Sequence, residues 1–430
     1  MKAKAPFCIV LLTLIAALAA AQNLAPGPSI LCSPPPRVPF TNWAQYQFDP
    51  CHSGYNPWEF ILNSSNVSNL VLDWSSYIGP IAQSTPTAAN GKVYIATAYE
   101  RQGPQYLYAF DARSGTLIWT FEENANGPVG SSAAVAGGVV YYGGNPGLYA
   151  LNATTGVPIW SIPTESFVTS PVIADGVVYA EWQSGSGNNV TGALYAVNAA
   201  NGAIIWKHSF ATLAGDLYSE TAPAVANGIV YCTVVLYGNN RSGRVYALNA
   251  ATGTVLWAQA LGAEGYPASP TVANGIIYVP SEDQNIYAFN AYSGAPIWKY
   301  KTTGFPSDAA AVANGVLYVG ADYLYALNAA DGTLLWKSDF ILGYGDGFTG
   351  VVANGVVYTG GSDTDLVALD ASTGALLWKY TSSYGLGGTP TVANGVLYVG
   401  TAQKPTELDA EHPSPSDDSS SLLAFHLPNK

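Results

Sequence analysis

The apolar positions of the chain recur in units of one design. In each unit a valine-rich run around a tyrosine precedes an apolar run resembling LYALNA, and a short run ending in tryptophan follows. The tryptophans are Trp74, Trp119, Trp160, Trp206, Trp257, Trp298, Trp336 and Trp378. The tyrosines are Tyr94, Tyr141, Tyr179, Tyr231, Tyr278, Tyr318, Tyr358 and Tyr398. Intervals of 38 to 51 residues between the tryptophans indicate a repeat protein.

A turn dipeptide precedes each valine-rich run. These dipeptides are Asn90-Gly91, Gly137-Gly138, Asp175-Gly176, Asn227-Gly228, Asn274-Gly275, Asn314-Gly315, Asn354-Gly355 and Asn394-Gly395. Such pairs favour two-residue hairpin turns, so each unit predicts four short strands, A to D, resembling TPTVA, GVVYVG, LYALNA and TLLWK. We therefore predict an all-β fold, an eight-bladed β-propeller of four-stranded antiparallel blades.

The two ends of the repeat region are complementary. Leu423 to Leu427 supplies a strand C for the eighth unit, and the sequence ends before a strand D. Leu70 to Trp74 is a strand D with no unit before it. We expect residues 70–74 to complete the last blade of a propeller spanning 70–428, which includes a long, mobile, acidic loop at 403–421. Residues 22–69 then form a Pro-rich N-terminal arm whose Trp43 and Trp58 cover the outside of the ring or one mouth.

The beginning of the chain is typical of a secretory signal. Lys2 and Lys4 precede an apolar run from Phe7 to Leu18 and small residues up to Ala21. We expect a signal peptide at 1–21, cleavage after Ala21, and export to the periplasm, the cell surface or the medium. The next residue is Gln22 instead of cysteine, and no later stretch is apolar enough to span a bilayer, so neither a lipid anchor nor a membrane span is expected.

The charge composition of the chain limits the classes of molecule that it can bind. Only 10% of the residues are charged, and 15 basic against 28 acidic residues give a net charge of −13. This charge repels nucleic acids and anionic membranes. In an oxidising compartment a Cys32–Cys51 disulfide is expected, the alternative being two unpaired thiols, and Cys232 is expected in the core.

Loop lengths differ between the two faces of the predicted ring. Strand C begins 11 residues before its tryptophan in seven units, whereas the B–C connection varies from 7 to 25 residues. Binding residues generally lie on variable loops held by a rigid scaffold, so we expect function on the face formed by the B–C and D–A loops. Trp182, Glu220, Asp308 and Asp346 are the candidate pocket residues there, the alternative being ordinary packing and a solvated, acidic channel mouth.

The unit TPTVANGVLYVG, with LVALDASTGALLW, resembles the pyrroloquinoline-quinone (PQQ)-type propeller repeat of the quinoprotein alcohol dehydrogenase-like superfamily. The resemblance implies that the eight repeat tryptophans have a structural role, each docking between neighbouring blades. The dehydrogenases of this superfamily also use a vicinal cysteine pair beside the quinone, which this sequence lacks. The chain therefore resembles the non-catalytic propellers more than the dehydrogenases. PQQ with calcium would have to be held by Trp182, Glu220, Asp308 and Asp346, and neither a cofactor nor a metal is expected.

Three functional hypotheses follow. The first is a monomeric, non-catalytic scaffold that binds a protein partner or a neutral polymer on the variable face. The second is a PQQ-dependent dehydrogenase with a reduced site, and the third is a carbohydrate-binding propeller. Whether the protein is an enzyme is left open, with a non-catalytic role favoured.

The closure of the ring is testable by deletion. Removing residues 70–74 exposes the edge of strand C in the last blade, and an open strand edge pairs with other chains. We expect aggregation, measured by size-exclusion chromatography. A soluble monomer with unchanged melting behaviour would contradict this closure.

Overall fold

The protein is described by a computed structural model for residues 42–79, 84–97, 105–123, 131–164, 168–184, 191–210, 217–218, 221–236, 242–263, 266–306, 308–340, 342, 350–360, 364–402 and 420–428. Within these ranges the regular structure is β-strand apart from one 3-10 turn at Val67–Asn69. The strands form eight antiparallel A–B–C–D sheets, which confirms the eight-bladed propeller.

The strands of blades 1 to 4 are as follows. Blade 1 has Thr87–Ala89, Lys92–Thr97, Gln105–Asp111 and Leu117–Glu123; blade 2 has Ala134–Ala136, Val139–Gly143, Gly147–Asn152 and Pro158–Pro163. Blade 3 has Val172–Ala174, Val177–Ser184, Thr191–Asn198 and Ile204–Ser209; blade 4 has Ala224–Ala226, Ile229–Leu236, Ser242–Asn249 and Val255–Ala263.

Blades 5 to 8 repeat the order. Blade 5 has Thr271–Ala273, Ile276–Ser281, Asn285–Asn290 and Pro296–Lys301; blade 6 has Ala311–Ala313, Val316–Gly320, Leu324–Asn328 and Leu334–Lys337. Blade 7 has Val351–Ala353, Val356–Gly360, Asp365–Asp370 and Leu376–Thr381; blade 8 has Thr391–Ala393, Val396–Ala402, Ser420–His426 and, as strand D, Val71–Gly79. The short strands Tyr55–Asn56, Leu217–Tyr218 and Gly385–Leu386 add to blades 7, 4 and 8.

The A–B turns have the backbone that their dipeptides favour. Asn90 and Gly91 have φ of 53° and 75°, and both residues are left-handed in all eight A–B turns. Two consecutive left-handed residues define a type I′ turn, whose twist matches that of the flanking strands. The uniform turns give the A–B face the same geometry in every blade.

Neighbouring blades are joined through their tyrosines and tryptophans. In blades 1 to 6, the strand B tyrosine hydroxyl and the strand D tryptophan Nε1–H donate to one alanine carbonyl in the C–D turn of the next blade. The Trp Nε1–O distances are 3.2, 2.9, 2.8, 2.9, 3.1 and 3.1 Å, to Ala153, Ala199, Ala250, Ala291, Ala329 and Ala371. The tryptophans of blades 1 to 6 therefore dock between neighbouring blades.

The N-terminal strand closes the ring. Val71–Gly79 pairs antiparallel with Ser420–His426, with Val71 opposite His426, which confirms that this segment completes the last blade. The tryptophan of blade 7, Trp378, donates to the carbonyl of Leu70 at 3.1 Å, so the N-terminal segment replaces the missing C–D turn at this interface. The mobile acidic loop expected at 403–421 lies almost wholly outside the described residues.

The docking contact predicts a difference between two glycines of similar backbone conformation. A Cβ on Gly332, φ 74°, would lie 2.7 Å from the Trp298 ring, whereas a Cβ on Gly315, φ 79°, meets nothing within 4 Å. We expect Gly315→Ala to lower the free energy of unfolding by about 1–2 kcal/mol through left-handed strain alone. Gly332→Ala should cost about 1–3 kcal/mol more through overpacking, measured by urea denaturation. Equal losses would show that the close approach of Trp298 does not matter.

Candidate functional site

Residues 43–56 of the arm run around the inside of the ring and contact every blade. The middle N–H of strand A in blades 1 to 7 donates to the arm. The donor N–H groups, their acceptors in the arm and the N–O distances are Ala88 to the Trp43 carbonyl, 2.9 Å; Val135 to the Ala44 carbonyl, 2.7 Å; Ile173 to Gln45 Oε1, 3.0 Å; Val225 to the Pro50 carbonyl, 2.6 Å; Val272 to the Cys51 carbonyl, 2.9 Å; Val312 to the Ser53 carbonyl, 2.7 Å; and Val352 to the Gly54 carbonyl, 2.8 Å. In blade 8, Asn56 Nδ2 donates to the Val392 carbonyl at 2.8 Å.

The arm occupies the A–B end of the ring axis. At its start Asn42 Oδ1 accepts the Asn90 N–H at 3.1 Å, and further on Glu59 Oε2 accepts the Gly395 N–H at 2.9 Å. Both donors belong to A–B turns. Of the two places expected for Trp43, the outside of the ring or one mouth, the structure excludes the outside. Trp43 pairs with Ala88 on the inner strand A and is fully buried, because the inner strand edges require hydrogen-bond partners.

A buried carboxylate shapes the middle of the arm. Asp49 accepts the N–H groups of Cys51 and Ser53 at 3.0 Å each and the Ser53 hydroxyl at 2.7 Å. Burial raises the pKa of Asp49, and these hydrogen bonds oppose the rise. Gln47 and Phe48, with φ of 52° and 77°, are left-handed, which costs about 1–3 kcal/mol each and persists only because the surroundings hold the arm.

His52 is fully buried against blade 5. Its Nδ1 lies 3.0 Å from the Pro270 carbonyl, and because a carbonyl only accepts, Nδ1 carries the hydrogen. Burial lowers the pKa of His52 to about 4, so the imidazole is neutral near pH 7. Cys51 beside it is disulfide-bonded, and Cys232 is a free, buried thiol. Cys32 lies outside the described residues, so its pairing with Cys51 stays a prediction.

Asp308 ties the arm to two blades. Its Oδ1 accepts the Tyr46 hydroxyl at 2.5 Å and the Ala309 N–H at 2.7 Å, and its Oδ2 accepts the Thr389 hydroxyl at 2.9 Å. Burial, followed by the Asp308 charge, raises the pKa of Tyr46 well above its usual range. Both oxygens of this candidate carboxylate are engaged in holding blades 6 and 8 to the arm.

Of the other three candidates, the structure describes only Trp182, and it does not bring Trp182 to Asp308. Trp182 is 6% exposed and stacks on Tyr195 with ring centroids 3.2 Å apart, within the apolar core between blades 2 and 3. Asp308 stands in blade 6, three blades away. Glu220 and Asp346 lie outside the described residues. The contacts of Trp182 are those of a packed core residue.

The described centre of the ring does not fit PQQ with calcium. In the ranges that the structure covers, no three His, Cys, Asp or Glu side chains are grouped to hold a metal ion. PQQ carries three carboxylates, but the basic side chains described belong to strands B, C and D and to one C–D turn. They are Lys92, Arg113, Lys207, Arg244, Lys299, Lys301, Lys337 and Lys379. The carboxylate at the axis, Asp308, would repel such an anion.

The variable face is raised at blades 3 and 4. Strands B and C of these blades are each eight residues long, whereas strand B of blades 2, 6 and 7 has five. Because a strand rises about 3.3 Å per residue, these two hairpins project about 10 Å further at the B–C end. Among the described residues, these two hairpins project further from this face than the other hairpins do. The unequal B–C lengths of the sequence predict this feature.

The buried polar residues of the arm were not among the residues predicted from the sequence. Gln45 and Asn56, 6% and 0% exposed, reach blades 3 and 8 with side-chain amides where the other blades contact main-chain atoms. In the sequence the arm has few charged residues and several amide and aromatic side chains, but no periodicity indicates which strands these side chains contact.

Docked tryptophans and four-stranded blades define the class of PQQ-type eight-bladed propellers. A family model described as outer membrane protein assembly factor BamB matches residues 103–193, 190–323 and 320–412, more than half of the chain. The chain belongs to this family. The BamB of Yersinia pestis is 29% identical over 301 residues, which cover 65% of this chain and 70% of that protein.

Solved structures share the fold. A europium-containing methanol dehydrogenase superposes with a TM-score of 0.72 at 15% identity, covering 90% of this chain and 98% of that chain. BamB from Moraxella catarrhalis superposes with a TM-score of 0.58 at 17% identity, covering 83% and 99%. At these identities the likeness shows the fold alone. None of the chain's described segments is a helix long and apolar enough to cross a membrane.

The buried His52 predicts a pH dependence of stability. Its pKa is 6.5 in the unfolded chain and about 4 in the folded protein, so between these values the unfolded chain binds more protons. The free energy of unfolding should therefore fall as the pH drops from 6.5 to 4, by about 3 kcal/mol in total. His52→Asn should remove this loss, because asparagine tolerates the left-handed backbone and does not titrate. Asp49 contributes with the opposite sign in both proteins and cancels in the comparison. Denaturation at several pH values measures the difference, and parallel curves for the two proteins would contradict it.

Proposed function

We propose that the protein is an exported, non-catalytic propeller that binds a protein partner through its B–C and D–A loop face, as an accessory factor in outer membrane protein assembly. Membership of the BamB family supports a role in outer membrane protein assembly. The signal-like N-terminus supports export.

The observation that carries the proposal is the contrast between the two ends of the ring. At the A–B end the arm contacts turns through Asn42 and Glu59, and its residues 43–56 hydrogen-bond to strand A of all eight blades. The opposite face has the unequal hairpins, and among the described residues the hairpin strands of blades 3 and 4 are the longest. A raised, uneven rim on a rigid ring suits recognition of a protein surface, because loops change without disturbing the scaffold.

The contacts at the ring axis support a dehydrogenase role less well than a scaffold role. Asp308 is engaged with Tyr46 and Thr389, and Trp182 is packed three blades away. These contacts explain both residues without a ligand, so the scaffold role requires no further group at the centre.

Shortened hairpins test the partner-binding role. In a strain of the source organism that lacks this protein, the wild-type chain should restore the normal level of outer membrane proteins. Replacing residues 183–192 or 236–242 with the short B–C segment 320–324 of blade 6 exchanges segments that each begin and end on an opposed residue pair and leaves the core residue Trp182 in place. Either replacement should abolish restoration while leaving the melting temperature within a few degrees of wild type. The same replacement of residues 280–286 in blade 5 is the matched control and should restore fully.

The competing functions have their own readouts. Purified protein mixed with PQQ and calcium should show no quinone absorbance shift and no alcohol-dependent dye reduction. Stoichiometric quinone binding that Asp308→Ala abolishes would overturn the scaffold role. Retention on a glycan array that Trp182→Ala abolishes would favour a carbohydrate-binding propeller instead.

A further inference from the structure

The ring axis has the features of a binding site for an extended polypeptide. Strand A of each blade is the inner strand of its sheet, and its outward partner is strand B. Its other edge faces the axis, where an unpaired main-chain N–H is costly once it is removed from water. Eight strands thus present repeated main-chain groups to one narrow space, where residues 43–56 supply oxygens to blades 1 to 7 and an amide N–H to blade 8.

Recognition along this axis is mainly of the backbone. In six blades the arm accepts with a main-chain carbonyl, at 2.6 to 2.9 Å. Tyr55–Asn56 also pairs parallel with Val352–Ala353, as an added strand does in peptide recognition at a sheet edge. Side-chain amides of Gln45 and Asn56 complete the series at blades 3 and 8. For a polypeptide that binds along the axis, the spacing of its acceptor oxygens therefore matters more than its amino-acid sequence.

Aromatic anchors fix the register of the arm. Trp43 and Phe48 are 0% and 3% exposed and contact each other edge to face, with ring centroids 5.3 Å apart. Both belong to the core that joins the arm to blades 7, 8 and 1, as does Leu62. The arm therefore has the two parts of a bound peptide: main-chain hydrogen bonds for affinity and buried side chains for specificity.

The conformational strain lies in the arm and not in the blades. The left-handed residues Gln47, Phe48 and His52 belong to the arm, whereas left-handed non-glycine residues of the blades occupy turns, mostly Asn or Asp. The ring thus holds the arm in a conformation that the isolated segment does not favour. A segment that meets the same hydrogen bonds with less strain would compete with it.

We propose that the ring axis is a peptide-binding site, separate from the loop face, and that residues 42–62 are its resident, exchangeable occupant. The partner that fits it is an extended polypeptide with an aromatic anchor and amide side chains. Displacement of the arm would free the inner edges of all eight blades for such a chain.

Cleavage of the folded protein tests the proposal. Ser64 and Ser65 are exposed in the turn that follows residues 42–62, so a protease site inserted between them can be cut after folding. The strand that closes blade 8 begins at Val71 and stays with the ring. A fluorescent peptide of residues 42–62 with Cys51→Ser should then replace the resident arm at a ratio of one per ring, followed by anisotropy and native mass spectrometry.

A matched peptide carries Gln45→Ala and Asn56→Ala in addition. Because it loses the side-chain bonds to blades 3 and 8, we expect its binding to be at least about tenfold weaker. Equal binding of the two peptides, or of a scrambled peptide, would overturn the assignment of the axis as a specific site. So would a cut protein that stays folded and never exchanges its arm.

The intact protein provides a second test if the cut form does not survive. Amide hydrogen exchange of the strand A residues that donate to the arm, such as Val135, Val272 and Val312, should occur together and faster than exchange in strands B and C. This pattern indicates release of the arm as a unit from a folded ring. Exchange of these amides only through global unfolding would show that the arm is a fixed part of the fold and would overturn the proposal.

Discussion

The structure depends on one repeated contact, in which a tyrosine and a tryptophan of one blade donate to a single alanine carbonyl of the next. At the third interface, Tyr179 and Trp206 reach the Ala250 carbonyl at 3.3 and 2.8 Å. A glycine in the same C–D turn, here Gly253, lets the indole approach the backbone. The contact sets the angle between blades, so six equal interfaces determine a ring that two special ones must close.

The two special interfaces both involve the N-terminal segment. Trp378 docks on Leu70 instead of an alanine, and Tyr398 donates to Ala112 at 3.1 Å beside Trp74. The same segment continues backwards into the axis, where it hydrogen-bonds to the inner strands. Closure of the last blade and occupation of the axis are thus two consequences of one stretch of chain. This division of labour leaves the B–C and D–A loops free of any structural duty common to all blades, which suits them for recognition.

The role of the candidate residues depends on their surroundings. Asp308 has the chemistry of a ligand or a base, yet Tyr46 and Thr389 engage its oxygens. Trp182 has the chemistry of a stacking platform, and Tyr195 already covers it. In both cases a residue type that suggests a site is explained by its contacts. Tyr195 lies on the strand next to Trp182 in the same blade, whereas Tyr46 and Asp308 belong to elements far apart in sequence. Local sequence contains no information on such partners because they are brought together only when the ring closes.

The sequence by itself determined the eight blades, their turns and the closing strand. These features follow from short-range chemistry: Asn-Gly pairs such as Asn314-Gly315 adopt left-handed turns, and alternating apolar residues form strands wherever they occur. Only the tertiary structure decided the course of the arm and the roles of Gln45, Asn56 and Asp308. The arm lacks a repeat, and its partners are eight N–H or carbonyl groups that face one axis only after the blades have assembled. The physical reason is that a main-chain hydrogen bond does not depend on side-chain identity, so no pattern of residues along the arm records which strand it meets.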